Sequence, residues 1–72
     1  MKTNQIGANA GIVWRTLSAK HDKMTFGGLL IVTGLNPIDL ATAIGWLARE
    51  DKVHFTEEGG KEYVSVYQEC YY

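Results

Sequence analysis

Thr33-Gly34-Leu35-Asn36-Pro37-Ile38-Asp39-Leu40-Ala41-Thr42-Ala43-Ile44-Gly45-Trp46-Leu47-Ala48-Arg49-Glu50-Asp51-Lys52-Val53 is the stretch that decides the fold. Gly34 suits the left-handed residue that closes a helix, because without a Cβ it meets no steric penalty there. Asn36 is a good N-cap, Pro37 sits where a missing N–H costs nothing, and Asp39 sets negative charge against the positive end of the helix dipole. Leu40, Ala43, Ile44 and Leu47 then recur at the spacing of one buried helix face, and the pattern ends near Glu50. A helix closed at Gly34, Leu35 tucked between, and a helix opened at Pro37 make a helix-turn-helix.

Upstream, Ile6, Ala10, Val13, Trp14 and Leu17 predict an amphipathic first helix over about residues 4–19, with these five on its buried side. Gly7, Ala8, Gly11 and Ile12 fall on the other side. Each interior glycine costs roughly 1 kcal/mol relative to alanine, so that face reads as one that something else approaches closely. Lys20-His21-Asp22-Lys23 reads as a loop, Met24-Thr25 as a very short strand, and Thr25 as the cap of a helix over residues 26–32. Downstream, residues 53–56 and 61–67 alternate in polarity around Glu57-Glu58-Gly59-Gly60, which predicts a hairpin. Its second strand is expected to run on toward Tyr72, past the reach of its partner.

The 72 residues are 46% hydrophobic and 21% charged, a balance that fits a folded chain. At this length a domain buries only about 60% of the surface its unfolded chain exposes, so one domain over residues 1–72 with a thin stability margin is expected. Small domains often add disulfides, metals or partner subunits. The lone Cys70 cannot form a bridge within the chain, which leaves oligomerisation. No apolar run approaches the roughly 20 residues of a membrane span, and Met1-Lys2-Thr3-Asn4-Gln5 lacks the apolar stretch of a secretion signal. A cytoplasmic location without membrane association is therefore expected. The net charge of −1 hides an asymmetry: residues 1–36 carry four bases against one acid, +3, and residues 37–72 carry three bases against seven acids, −4.

Helix, short strand, helix, turn, helix and hairpin is the order of an α+β winged helix-turn-helix, with three helices plus a small antiparallel β-sheet and a two-stranded wing. Ile6-Gly7, Ala10-Gly11, Trp14 and Leu17, then Thr33-Gly34-Leu35, then Ala43-Ile44-Gly45-Trp46-Leu47-Ala48-Arg49-Glu50 are the residues that carry a family likeness. In them the chain resembles a family of short, uncharacterised bacterial and archaeal winged helix-turn-helix proteins. The likeness extends over nearly the whole chain and implies a fold; it implies no reaction, because function resides in sites rather than folds.

The third helix is where this architecture meets a partner. At 100° per residue from Leu40 its outward face is Ile38, Thr42, Gly45 and Arg49, with Ala41 and Trp46 at the margins. Small and apolar residues there suit close packing against another helix. Tyr63, Tyr67 and Tyr71 line one side of the extended final strand and could meet a second subunit. The expectation is a non-catalytic interaction module, a homodimer formed through the first helix, the final strand or both, or a domain bound to another protein. Ile38, Thr42, Gly45, Trp46 and Tyr67 would carry the contact. The alternative is a DNA-binding transcriptional regulator in which Asn36, Thr42 and Arg49 touch bases and Lys52 and Lys61 touch phosphate. Arg49 alone is cationic on the outward face, and Glu57-Glu58 would stand beside phosphate, so charge disfavours that alternative.

Catalysis finds little support. His21, His54 and Cys70 are too scattered for a metal site or a thiol triad, and no cofactor is expected. His54 reads as a solvated strand residue. Gly27-Gly28 behind Thr25 offers helix amides without the lysine or spacing of a phosphate loop. Glu57, Glu58 and Glu62 sit at a solvated hairpin tip that cannot tune an acid by desolvation.

Overall fold

Local signals set most of the element boundaries. The computed structural model describes residues 3–20 and 23–66, and in it α1 (Thr3–Lys20), β1 (Met24–Thr25), α2 (Phe26–Thr33), α3 (Pro37–Arg49), β2 (Val53–Glu58) and β3 (Lys61–Val66) follow in that order. Thr25 caps α2 by accepting the Gly28 amide on its Oγ1 at 3.1 Å. The helix closes at Gly34, whose φ of 73° is left-handed and whose N–H donates to the Leu30 carbonyl at 3.0 Å. A Cβ at Gly34 would meet no neighbour but would strain the backbone. Gly34→Ala is therefore expected to cost about 1–2 kcal/mol, seen as a melting temperature lower by several degrees; an unchanged melting curve would contradict the left-handed cap.

Asn36 caps α3 with its Oδ1, which accepts from the Asp39 amide at 2.8 Å. The other end of α3 closes in a Schellman arrangement: the Lys52 N–H donates to the Leu47 carbonyl at 2.9 Å and the Asp51 N–H to that of Ala48 at 3.1 Å. Asp51 takes the left-handed position, at φ 57°. This closure turns the chain at Lys52 and feeds it directly into β2.

The sheet has three antiparallel strands in the order β1-β3-β2, with β3 central. Val53 pairs with Val66 and Phe55 with Val64, while Met24 pairs with Val64 from the other side. A two-residue turn at Gly59-Gly60, both with positive φ, joins β2 to β3. Ala10, Val13 and Leu17 of α1, Leu29 of α2, Leu40, Ala43, Ile44 and Leu47 of α3, and Val53, Val64 and Val66 of the sheet form one core. Leu35 packs at its edge. Among the described residues no single helix is long and apolar enough to cross a membrane.

Three expectations need correction. Trp14, placed by spacing on the buried stripe of α1, is 42% exposed, and Asn9 is buried instead. The buried arc is turned toward Asn9 because α1 lies mainly against α3, so Trp14 stands at its edge. Glu57 and Glu58, expected in the turn, belong to β2 and pair with Glu62 and Lys61. The two glycines alone supply the positive φ that a tight hairpin needs, which frees both glutamates for the ladder. His54, read as solvated, is half-buried with its Nε2 3.0 Å from Ser65 Oγ across the strands.

Candidate interaction surface

Four residues of α3 project outward along one line, because positions 38, 42, 45 and 49 return to the same side of a helix. Ile38 is 74% exposed, and Trp46 beside this line is 38% exposed. Gly45 and Arg49 are exposed as well. Around the point where a Cβ would stand on Gly45 nothing outside its own stretch of helix lies within 4 Å, so packing among the described residues does not require a glycine there. The structure thus brings Ile38, Gly45 and Trp46 onto one open face. Tyr67 lies outside the described residues, as do Lys2, His21, Cys70 and Tyr71.

The polar residues of α3 are already engaged. The Asn36 amide is used at both ends, since its Oδ1 accepts from the Asp39 backbone and its Nδ2 donates to Asp39 Oδ2 at 3.0 Å. The Thr42 hydroxyl donates to the Ile38 carbonyl at 2.8 Å. A hydroxyl whose proton is committed inside its own helix can meet a base edge only as an acceptor unless that bond breaks.

Cations are separated by the wing. Arg49 and Lys52 are exposed together where α3 ends, but Lys61 pairs with Glu58 at the far end of β2. Six strand residues, roughly 17–20 Å, lie between Lys52 and that pair. Lys23 donates to both carboxylate oxygens of Glu58 at 2.9 and 2.8 Å, and its ammonium stands 5.3 Å from the centre of the Tyr63 ring. One of the two wing-tip charges is thereby offset. Glu57 is not so placed: it faces Glu62 in register, two acids directly opposite on the side of the sheet that carries the core valines.

Sequence reading missed a second apolar surface. Only Leu29 is buried among the eight residues of α2, while Ile31 is 84% and Val32 51% exposed. The signal was present: Phe26-Gly27-Gly28-Leu29-Leu30-Ile31-Val32 has no polar face, and a helix apolar all round is one that something should cover on every side. A groove of about 410 Å³ also opens between α1 and the end of α3, lined by Ala10, Gly11, Trp14, Arg15, Leu47 and Lys52. Among the described residues no group of three or more His, Cys, Asp or Glu side chains is arranged to hold a metal ion.

The family model described as winged helix-turn-helix domain (DUF2582) matches residues 1–66. The chain belongs to this family. The solution NMR structure of protein BT2368 from Bacteroides thetaiotaomicron is similar to it at 35% identity and a TM-score of 0.80, over 92% of this chain and 79% of that one. No curated protein matches. Within the winged helix-turn-helix frame α3 is the helix that reads DNA in regulators of this architecture, and the β2–β3 hairpin is the wing. In this family member the outward side of that helix offers Ile38, Gly45 and Trp46, with Arg49 as its cation in the last turn.

Proposed function

We propose that this winged helix-turn-helix domain is a non-catalytic interaction module that associates with a second copy of itself through the outward face of α3. The observation that carries this reading is the open face around Gly45, flanked by Ile38 and Trp46. An isoleucine kept in water forgoes about 1.5–3 kcal/mol of burial, and a mid-helix glycine costs about 1 kcal/mol relative to alanine. A second helix seated on this face recovers the first cost and gives a reason for the second, since a glycine lets two helix backbones approach closely. Ile38, Thr42, Gly45 and Trp46 would form the contact. A mass measurement by sedimentation or light scattering should find a dimer at micromolar concentration, on the order of 8 kcal/mol of association; a monomer at every attainable concentration removes the proposal.

A second reading follows from the architecture, which docks on DNA in many regulators. Arg49 in the last turn of α3 and Lys52 just after it are both exposed and could hold phosphates. Against it, Asn36 and Thr42 are engaged within the helix, and Glu57 and Glu62 carry acid on the core-facing side of the wing. Non-specific affinity comes almost wholly from neutralised phosphates. Random duplex is therefore expected to show no retention at about 50 mM salt, read by fluorescence anisotropy of a labelled oligonucleotide. Binding that weakens steeply as salt rises would reverse the order of the two readings.

A further inference from the structure

We propose that the groove between α1 and the end of α3 is a binding site for a small aromatic carboxylate, its ring on the apolar walls and its anionic head between Arg15 and Lys52. The lining sets the chemistry of the ligand. Ala10, Gly11, Trp14 and Leu47 give apolar walls, and Arg15 and Lys52 give two positive charges. Among the described residues no acid lines the groove, and apart from the Trp14 indole N–H no neutral hydrogen-bonding side chain does, so a sugar or a peptide backbone would find few partners on its walls. A flat apolar body with one anionic head suits them. At about 410 Å³ the groove falls within the range of small-molecule sites, roughly 300–1,000 Å³.

Charge placement is the second reason. The two cations come from different elements, Arg15 from α1 and Lys52 from the turn after α3, and only the fold brings them to one groove. Neither has an ion-pair partner among the described residues, where the ion pair formed joins Lys23 to Glu58. Glu50 and Asp51 precede Lys52 in the chain, yet neither lines the groove. At the closing end of α3 the Leu47 and Ala48 carbonyls already accept from the Lys52 and Asp51 amides, so they present less negative charge to an incoming anion. Like charges gathered on one apolar wall repel each other. A carboxylate between them relieves that repulsion with charge-assisted hydrogen bonds, while its ring covers Trp14, now 42% exposed.

Gly11 joins the two halves of the site. A Cβ built on it would stand 3.5 Å from Arg15 Nη1, so the guanidinium lies back over α1 along the groove rather than straight out into water. With no side chain at position 11, a ligand ring can reach the helix backbone beside that guanidinium. A leucine there would take the space of both. None of the six lining residues belongs to the contact assigned to α3, so this site stands apart from self-association.

Naphthoate is the probe, and the indole N–H signals of Trp14 and Trp46 in the proton–nitrogen correlation spectrum of the full chain report where it binds. Saturable shifts at Trp14 with a Kd on the order of 1 mM are expected, while Trp46 on the outward side of α3 stays in place. Naphthamide, the same body without the charge, should bind about tenfold more weakly, and Arg15→Gln/Lys52→Gln should bring naphthoate down to the level of naphthamide. Gly11→Leu should abolish the Trp14 shift for both probes. Arg15 and Lys52 are exposed, so their glutamine variant is expected to fold; if it does not, the ratio of the two probes on the unaltered chain decides. No saturable shift at Trp14, equal affinity for the two probes, or Trp46 moving in step with Trp14 overturns the proposal.

Discussion

Gly45→Leu is expected to turn a micromolar dimer into a monomer while the fold survives. The two outcomes separate because Gly45 has open space around its missing Cβ. In the isolated domain the Cβ of a leucine there meets nothing outside its own stretch of helix, and its better helix propensity stabilises α3 by somewhat under 1 kcal/mol. Across a close helix pair the same side chain holds the backbones apart, and loss of close packing over such a contact weakens association by about 100-fold or more, roughly 3 kcal/mol. Gly45→Ala is the control. It should raise the melting temperature by about 4–8 °C per kcal/mol gained and weaken the dimer far less. Ile38→Asp should also give monomers, because it places a charge where a side chain 74% exposed in the single chain is to be buried. Sedimentation equilibrium and thermal melts on the same samples read both quantities. A Gly45→Leu protein that remains dimeric sinks the α3 interface; one that unfolds contradicts the open space around the residue.

Leu17→Ala is the substitution expected to hurt the fold most. Leu17 is fully excluded from solvent and is among the largest such side chains. Truncation of a buried leucine to alanine costs about 2–5 kcal/mol, part lost transfer energy and part cavity. A domain of 72 residues has only about 4–11 kcal/mol of stability to lose, at 0.05–0.15 kcal/mol per residue. The variant is thus expected to melt at least about 10 °C lower and to be partly unfolded at 37 °C. Trp14→Ala, on the same helix three residues earlier, removes a larger side chain from a site 42% exposed and should cost less. Equilibrium unfolding in urea on the two variants ranks them. A Leu17→Ala protein as stable as Trp14→Ala would mean that α1 does not use the face described.

The same two residues show how far spacing along a chain can be trusted. Leu17 and Trp14 both belong to the apolar stripe of α1 in the sequence, and periodicity gives no reason to divide them. Their division comes from the direction in which α1 meets α3, which is a property of both helices together. At the wing the error had another origin. Glu57 and Glu58 look like turn residues by charge, yet two adjacent glycines satisfy a tight hairpin alone, and the acids extend β2. The pairing of Lys23 with Glu58 joins residues 35 apart in the chain and has no local signature at all. The exposed face of α2 was legible in principle, since a run without a polar side has one reading when it is covered and another when it is not; only the packed structure shows that Ile31 and Val32 are left in water.

The sequence alone determined where helices begin and end and which order of elements results. Caps, left-handed glycines and the proline at the start of α3 act through hydrogen bonds and steric limits a few residues wide, so the information is complete within each short window. It also determined the sign of the charge on the wing. What only the tertiary structure decided is which apolar side chains stay outside: Trp14 beside a groove, Ile31 and Val32 on α2, Ile38 and Trp46 around an open glycine. Exposure is set by how elements lie on one another, and the free energy of burial scales roughly with the apolar area removed from water, whatever the neighbours in sequence.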